Sequence, residues 1–357
     1  MNAAMPTQAD GKEPAGGTPA GSADVTVMVP VHDGLADLHR CLEALAASSH
    51  PRFDVLVVDD GSTEQIRPAV EQRGYGYLRI DGPGGPARAR NCGVEHVRSE
   101  FVIFVDADVC VHPDTVERLM ADFAADPELA AVFGAYDDQP PVGGVFSAYR
   151  NLLHHYTHCR SAGRVGTFWT GCGAIRRSVY RRYGGLDERR YRRPSIEDVE
   201  LGTWMAADGR KIMLDPAVLC KHLKRWRFWS TLHIDVFRRG ALWIDLMLRS
   251  RQAVRTLNVS PLQRLSVALA SAIMPLAAVG VWWMWAGAAA GAAALLLLGI
   301  NFPFYRYLAA RKGVVFAAAA VPLHWVYFLC CAVSVPVGIL SYLRGRRDAC
   351  LAGRSAV

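Results

Sequence analysis

Two long stretches toward the end of the chain contain no Asp, Glu, Lys or Arg. They run from Leu265 to Tyr305 and from Val314 to Leu343, and His324 is the one histidine in them. A helix crosses about 30 Å of hydrocarbon with roughly 20 residues, so the first stretch fits two crossings and the second fits one. Both stretches are too long for a buried core helix. We therefore expect a small all-α transmembrane region over 263–345, with about three spans.

The rest of the chain divides by composition. Residues 1–23 are rich in Gly, Ala, Pro and Thr and contain no apolar run, which is typical of a disordered tail and argues against a secretory signal. We therefore expect residues 24–227 to stay in the cytoplasm. Residues 228–262 mix apolar positions with arginines and predict an amphipathic juxtamembrane segment, and 346–357 is a short tail. This organisation predicts a multi-pass protein of a bacterial-type inner (plasma) membrane.

The formal net charge of +7 is concentrated in two stretches. Eight arginines lie between Arg176 and Arg193, and nine Lys or Arg side chains lie between Lys221 and Arg255. Nucleic acid could attract such a surface, but anionic lipid headgroups and the positive-inside rule account for basic residues beside a membrane segment. We expect the membrane to be a partner and expect no nucleic acid.

Neither the cysteines nor the histidines predict a structural crosslink. Nine cysteines are scattered without C-x-x-C spacing, which suits a reducing compartment and argues against a disulfide framework or a zinc ribbon. His154 and His158 are one helical turn apart, a spacing that zinc can use, but the sequence identifies no third ligand for it. We predict a polar helix face there.

Apolar runs alternate with helical patterns along residues 24–227. The runs are VTVMVPVHDG (25–34), FDVLVVDDGST (53–63), YLRI (77–80) and EFVIFVDADVCV (100–111). This alternation predicts an α/β fold with a Rossmann-like, mostly parallel sheet, whose ligands bind beyond the carboxyl ends of the strands. Asp59, Asp60, Asp106 and Asp108 all lie at such ends. We expect them to converge on one crevice.

Asp106 and Asp108 are two positions apart, directly after a predicted buried strand. Two carboxylates there repel each other unless a cation or hydrogen-bond donors compensate them. Mg²⁺ or Mn²⁺ bound together with a diphosphate is the natural complement, because these ions take carboxylate, phosphate and water oxygens. Two alternatives stay open for the pattern alone: a solvated loop with helix-capping Asp residues, and a haloacid-dehalogenase-type phosphatase whose first Asp is a nucleophile.

Six segments, taken in order, resemble the family 2 glycosyltransferases of the GT-A type. They are VPVHDG (29–34), VVDDGST (57–63), GGPARARNCG (84–93), DAD (106–108), TGCGAIRRSVYRRYGGLDE (170–188) and SIEDVELG (195–202). The resemblance covers about residues 24–227. It implies a cytoplasmic GT-A domain, followed by an interfacial helix and the transmembrane helices.

The resemblance also implies roles for individual residues. Asp198 is the implied catalytic base of an inverting displacement, and Asp106, Asp108 and His222 are the implied ligands of Mg²⁺ or Mn²⁺. Glycines in the third segment would let backbone N–H groups approach a diphosphate at a helix N-terminus. The implied nucleotide-sugar contacts are Pro30, Val31, Asp59, Asp60, Gly85, Arg90, Asp106 and Arg225. The implied acceptor-side residues are Gly171, Cys172, Gly173, Glu197 and Trp226.

The segment KHLKRW (221–226) is similar to the Q-x-x-R-W of polymer-making relatives, with His222 in place of Gln. The changed residue argues against a processive polysaccharide synthase, which stays an alternative together with a non-catalytic membrane scaffold. We expect a nucleotide-sugar donor, with a UDP-sugar as the first choice, and an acceptor that is a lipid or a saccharide. A membrane lipid such as a polyprenyl phosphate is the favoured acceptor. A phosphate acceptor would make Asp198 less important.

The membrane topology is in conflict with the charges at the end of the chain. Three spans would place LRGRRDAC (343–350) outside, whereas its arginines favour the cytoplasm. Either 314–343 folds back at Pro322 or Pro336, or the tail is an exception to the rule.

Overall fold

A nine-stranded mixed sheet forms the centre of the N-terminal domain in the computed structural model, which describes residues 23–140, 143–251 and 259–354. The strands are β1 Val25–Val31, β2 Asp54–Asp59, β3 Gly76–Arg79, β4 Phe101–Val105, β5 Val109–Val111, β6 Leu129–Tyr136, β7 Gly163–Arg164, β8 Cys172–Arg176 and β9 Lys211–His222. Their order is β3-β2-β1-β4-β8-β6-β9-β5, with β7 beside β9. The pairs among β1 to β4 are parallel, and β8 is antiparallel to both of its neighbours.

Helices cover both faces of this sheet. They are α1 Leu35–Ala46, α2 Ile66–Glu71, α3 Pro86–His96, α4 Thr115–Ala125, α5 Val145–Arg160, α6 Arg177–Arg182 and α7 Glu197–Ala207. Side chains of β1 alternate between two apolar layers: Val27 and Val29 pack with α1, whereas Met28 packs with the layer on the opposite face. Both faces of the strand are therefore buried, as expected for a parallel sheet. The predicted α/β fold is confirmed.

The chain turns back immediately after Asp106 and Asp108. The short strand β5 pairs antiparallel with β9, and Val109 lies opposite His222 in this pairing. The register places the end of β9 beside Asp108. The sheet geometry thus joins two segments that are more than a hundred residues apart in the sequence.

A helical run follows β9. It consists of α8 Phe228–His233, a π-helical turn Ile234–Gly240 and α9 Ala241–Ser250, and together these form the juxtamembrane helix. Part of the predicted segment 228–262, residues 252–258, lies outside the described residues, as does nearly all of the predicted tail 1–23.

Three long helices complete the described chain: α10 Pro261–Gly280, α11 Met284–Lys312 and α12 Val314–Arg354. Each contains a stretch that is long and apolar enough to cross a membrane. Helix α12 continues through Pro322 and Pro336, so the fold-back considered from the sequence does not occur. Its backbone extends to Arg354, into the segment predicted as a tail.

The long helices contact the N-terminal domain at two places. The end of α11 and the first half of α12 pack on α5 through an apolar cluster of Tyr149, Leu152, Leu153, Phe304, Leu308, Ala317 and Ala320. Farther along α12, Gly338 lies against the backbone of Ala241 and the side chain of Ile244. Helix α12 therefore packs on both α5 and the juxtamembrane helix.

Candidate active site

A cavity of about 1010 Å³ opens beyond the carboxyl ends of the parallel strands. The acidic side chains that line it are Asp33, Asp37, Asp60, Asp106, Asp108, Glu197 and Asp198. At another part of the wall lie Arg150 of α5, Trp243 of α9 and Tyr327 of α12. One cavity thus connects the acids of the sheet edge with an apolar helix that is long enough to span a membrane.

Asp60 is held by the turn that precedes α3. Its carboxylate accepts hydrogen bonds from the backbone N–H groups of Gly84 (2.9 Å) and Gly85 (2.7 Å). Gly85 has a φ of +93°, and a Cβ there would overlap the carbonyl oxygen of Arg192. Because the Asp60 carboxylate already occupies these two donors, they are not free for a diphosphate as the sequence predicted.

Asp59 lies outside the cavity. It accepts hydrogen bonds from the Ser62 N–H (2.8 Å), the Tyr77 hydroxyl (2.5 Å) and the Arg79 guanidinium (2.6 Å). Burial of this carboxyl opposes ionisation, but the hydrogen bonds are stronger in effect and lower its pKa. Asp59 therefore holds the turn in place, and Asp60 is the acid of this pair that lines the cavity.

Arg90 joins two acidic segments across the cavity floor. Its guanidinium donates to Asp106 (2.5 Å) and to Glu197 (3.3 Å), and its side chain is 4% exposed. Burial raises the pKa of Asp106 against the opposing effect of Arg90, and burial together with Asp198 raises the pKa of Glu197 to about 7. Within the described residues the Arg90 Nε–H has no partner, so one buried donor remains available to a ligand.

Asp108 and His222 form the best candidate for a metal centre. His222 Nε2 lies 3.5 Å from Asp108 Oδ2, and burial lowers the pKa of His222 to about 3, which keeps the imidazole neutral. A neutral imidazole and a carboxylate at this separation suit a divalent cation that takes its other ligands from phosphate and water. Asp106, the third predicted ligand, is paired with Arg90. The described residues contain no group of three or more protein ligands that could hold a metal.

Asp198 lies in the first turn of α7 and lines the cavity. Its Oδ2 accepts from the Thr170 N–H (2.8 Å) and the Thr170 hydroxyl (3.0 Å), and its Oδ1 accepts from the Val199 N–H (2.8 Å). Burial raises the pKa of this carboxyl, and the Thr170 hydrogen bonds oppose that effect. The carboxylate thus anchors the segment before β8 through three of its roughly four acceptor sites.

The remaining predicted residues divide into two groups. The residues that line the cavity as predicted are Pro30, Val31, Gly85, Gly171 and Trp226. Cys172 and Gly173 are buried inside β8, and Arg225 is exposed outside the cavity. Lys224 lines the cavity instead of Arg225 because His222, Lys224 and Trp226 follow the two-residue alternation of an extended chain.

Several cavity residues carry no motif and were missed by sequence reasoning, among them Arg150, Arg239, Trp243 and Tyr327. The prediction of a polar helix face at His154 and His158 is wrong. His158 is buried and its Nδ1 lies 2.9 Å from the Gly134 carbonyl oxygen, while His154 packs on Tyr136 and Trp169. The eight cysteines whose side chains the structure describes are free thiols.

Comparison with known proteins identifies the domain that carries this cavity. Residues 26–184 match the family described as glycosyl transferase family 2. A pre-mycofactocin glycosyltransferase of Mycobacterium tuberculosis is 27% identical over 227 residues, which cover 61% of this chain and 46% of that relative. The glycosyltransferase AglE of Haloferax volcanii is 32% identical over 101 residues, which cover 26% of this chain and 33% of AglE. The chain spans less than half the length of these curated relatives.

A solved structure shows the same fold over most of the chain. The mannosyltransferase PcManGT from Pyrobaculum calidifontis, in complex with GDP-Man and Mn²⁺, aligns with a TM-score of 0.53 at 19% identity, covering 92% of this chain and 89% of that chain. The family match begins at the first cavity-lining strand and includes the segments of Asp60, Arg90, Asp106 and Asp108. The N-terminal domain of this chain is therefore a glycosyl transferase family 2 domain of the GT-A type.

Proposed function

We propose that the protein transfers a sugar from a nucleotide-sugar donor to a membrane lipid, with inversion at the anomeric carbon and with the assistance of a divalent cation. The observation that carries this proposal is the shape of the cavity. Its wall includes both the acids at the sheet edge and Tyr327 of α12. An acceptor that resides in a bilayer can enter such a cavity without leaving the membrane surface.

The donor half of the cavity is assigned from charge and position. Asp60 directly follows β2 and lines the cavity beside the Gly85 turn, where a nucleoside can contact both. Asp108 and His222 would hold Mg²⁺ or Mn²⁺, which would bridge the donor diphosphate and stabilise the charge that leaves with it. PcManGT was solved with GDP-Man and Mn²⁺, which supports a nucleotide sugar and a divalent cation here, without deciding between UDP and GDP.

The transfer is a single displacement in this proposal. The acceptor oxygen attacks the anomeric carbon from the side opposite the diphosphate, and the configuration inverts. Arg90 keeps Asp106 and Glu197 in place beside this carbon, and its free Nε–H is a donor for the substrate. Asp198 either accepts a proton from an acceptor hydroxyl or positions the Thr170 segment.

Nucleotide release by the purified full-length protein in detergent tests the proposal. UDP-, GDP- and dTDP-sugars would be supplied in turn with Mg²⁺ or Mn²⁺ and a membrane lipid extract. We expect one nucleotide class to be released and the lipid fraction to gain the sugar. Absence of sugar transfer from every donor, with no donor binding by calorimetry, would contradict the proposal.

A matched pair of variants tests the metal centre. Asp108→Ala should weaken donor binding about tenfold or more in the presence of Mn²⁺ and have little effect in EDTA, because a lost charged ligand is worth about 1.5–3 kcal/mol. Asp114→Ala removes an exposed carboxylate six residues later, which pairs only with Arg118 among the described residues. Equal binding by the two variants would refute the assignment of Asp108.

A further inference from the structure

The part of the cavity next to Trp226 is lined by cations. The cationic centres of Arg150, Lys224 and Arg239 lie 5.5, 5.3 and 5.7 Å from the centroid of the Trp226 ring. These four side chains all line the cavity, and we call them the Trp226 subsite. They come from α5, from the segment after β9 and from the π-helical turn, so the subsite forms only in the folded chain.

Positive charge is in excess in this subsite. Asp235 pairs with Arg150 at 2.9 Å and lies 3.9 Å from Arg239, whereas Lys224 has no carboxylate within 4 Å among the described residues. Within 4 Å the three cations thus have a single carboxylate, Asp235, while Asp108 attracts Lys224 from farther away. Cation–π contacts with Trp226 offset part of the cost, but partly buried charge of one sign is best stabilised by an anion.

A second feature of the same wall also indicates a ligand that carries hydrogen-bond acceptors. The Trp243 Nε1–H is buried and has no hydrogen-bond partner in the described chain. An indole N–H can only donate, so an anion or another acceptor is needed to satisfy it. Trp243 lines the cavity together with Arg239, which lies one helical turn before it.

The position of the subsite defines where the ligand lies. The His222 ring is 5.7 Å from the Trp226 ring, and His222 Nε2 is 3.5 Å from Asp108. On its other side, Arg150 lies 5.6 Å from the ring of Tyr327 on the apolar helix α12. A ligand that fits this arrangement has an anionic group beside the reacting centre and an apolar portion toward α12.

We propose that the Trp226 subsite binds the phosphate of a phosphorylated lipid acceptor and that an oxygen of this phosphate is the attacking nucleophile. This inference rests on the proposed glycosyl transfer and specifies the class of its acceptor. The phosphate oxygen forms a bond to the anomeric carbon, while the bond from that carbon to the donor diphosphate breaks and its electron pair leaves with the nucleoside diphosphate. The products are a glycosyl phosphodiester lipid and a nucleoside diphosphate.

This chemistry agrees with the surroundings of Asp198. A phosphate monoester has a second pKa near 6 and is largely a dianion at neutral pH, so no proton has to be removed during the attack. The Asp198 carboxylate is engaged by three hydrogen bonds from Thr170 and Val199. Asp198 is therefore a positioning residue for the Thr170 segment in this reaction.

Acceptor competition tests the assignment. The full-length protein in nanodiscs would receive its donor with an isoprenyl phosphate, the matching isoprenol or inorganic phosphate. We expect sugar to appear on the isoprenyl phosphate and not on the other two. Lys224→Gln and Arg239→Gln should each raise the KM for the isoprenyl phosphate about tenfold or more, with an unchanged Kd for the donor. Arg227→Gln, an exposed control in the same segment, should leave both values unchanged.

The possible outcomes separate the two levels of the proposal. Transfer to the isoprenol as efficient as to its phosphate would overturn the phosphate subsite while leaving glycosyl transfer intact. Transfer to inorganic phosphate alone would show that the subsite binds a free anion and not a lipid headgroup. That result would also overturn the proposed phosphate subsite. A rise in donor Kd without a change in acceptor KM would assign the cations to the donor diphosphate. Absence of donor binding would instead refute glycosyl transfer itself.

A second inference concerns the path of α12 and depends on different contacts. Between Ala317 and Gly338, about 30 Å of helix at 1.5 Å per residue, α12 packs first on α5 and then on the juxtamembrane helix. The juxtamembrane helix is attached to the N-terminal domain near both of its ends, through Phe228 on Phe146 at 5.2 Å and through an ion pair of Arg249 with Glu200 at 2.8 Å. Over the same stretch, Trp325 and Phe328 of α12 also pack on Ala270 of α10 and Leu297 of α11, so α12 lies between the domain and the hairpin of α10 and α11.

Helices α10 and α11 form a hairpin that has the features of a membrane-spanning pair. Its two helices run antiparallel, with Asn301 of α11 donating to Ser266 of α10 (3.1 Å) near the domain. At the far end, Trp282, Trp283 and Trp285 are 86%, 60% and 66% exposed. Exposed tryptophans at a hairpin tip are typical of a membrane–water interface.

We infer that α10 and α11 cross the membrane and that α12 lies along its surface beneath the N-terminal domain. Two crossings return the chain to the side on which it entered. The arginines of LRGRRDAC then lie on the same side as the N-terminal domain, which removes the conflict with the positive-inside rule.

Protease access in sealed inverted membrane vesicles tests this topology. A protease site and an epitope tag would be added after Val357, and in a separate variant the same insertion would be placed between Trp282 and Trp283. We expect cleavage of the C-terminal site from the side that exposes the N-terminal domain and protection of the hairpin site. Protection of the C-terminal site in intact vesicles, with cleavage after detergent is added, would show that α12 crosses the membrane.

Discussion

Replacing Arg90 with methionine should strongly destabilise the fold. The guanidinium is 4% exposed and is the counter-charge of both Asp106 and Glu197, at 2.5 and 3.3 Å. Removing one partner of a buried ion pair costs about 3–5 kcal/mol because the remaining charge is left uncompensated. For a domain of this size, that loss corresponds to a fall in Tm of about 6–20 °C.

The measurement can use the protein's own thiols. Cys41, Cys172 and Cys220 are buried, so a maleimide dye that fluoresces on thiol reaction reports unfolding of the full-length protein in detergent. Arg88→Met is the matched control, because Arg88 lies on the same helix and its guanidinium contacts only the Asp81 carbonyl oxygen among the described residues. We expect the control to lower the Tm by about 2 °C or less.

A double variant separates charge from packing. Arg90→Met with Glu197→Gln removes one of the two stranded carboxylates and should recover about 1–2 kcal/mol relative to Arg90→Met, within the range measured for coupled neighbours. If Arg90→Met destabilises no more than Arg88→Met, the ion-pair reasoning is wrong. If the double variant is no more stable than Arg90→Met, the loss comes from packing and the charge argument fails.

Two further substitutions test the donor side of the site, and a third tests a half-buried carboxyl on α4. Gly85→Ala places a Cβ against the Arg192 carbonyl oxygen at a φ of +93° and should lower stability by about 1–3 kcal/mol, measured as a lower Tm. Asp60→Asn loses two charge-assisted hydrogen bonds and should weaken donor binding in calorimetry about tenfold; unchanged binding would remove Asp60 from the donor site. Burial and the nearby Asp215 raise the pKa of Asp122 to about 6, so ionising Asp122 reduces stability as the pH rises from about 4 to above 6. Asp122→Asn should therefore raise the free energy of unfolding at pH 8 by about 1 kcal/mol after screening, measured as a higher Tm, and leave the Tm unchanged at pH 4.

The fold and the donor half of the cavity were predictable because their signals are local. A β-branched run that ends in an acid predicts both a strand and the edge of the sheet, so Asp60, Asp106 and Asp108 could be placed before any contact was known. The pairing of β5 with β9 joins residues that are far apart in the sequence, so local patterns do not predict it. His222 was expected beside the acids from the resemblance alone. The choice between Lys224 and Arg225 depends on the register of an extended segment, where a shift of one residue exchanges the two faces.

The cationic half of the cavity could not be predicted from local patterns. Arg150, Arg239 and Trp226 meet only because α5, the π-helical turn and the end of β9 pack around one point. The misplacement of His154 and His158 has the same origin. Helix α5 packs between the sheet and the ends of α11 and α12. His154 and His158 lie on its sheet side, against Tyr136 and the Gly134 carbonyl oxygen of β6, a tertiary contact that the spacing of two histidines does not predict.

The contact between α12 and the juxtamembrane helix connects the surrounding lipid to the wall of the active-site cavity. Gly240 lies against the Ser334 side chain, and Gly338 lies against the Ala241 carbonyl oxygen, so a glycine on each helix lets the other helix approach closely. Arg239 and Trp243, on either side of this contact, also form one wall of the cavity. Whatever separates the two helices, whether harsh detergent or a bilayer of unsuitable thickness, would open that wall. Catalytic competence should consequently follow the physical state of the surrounding lipid.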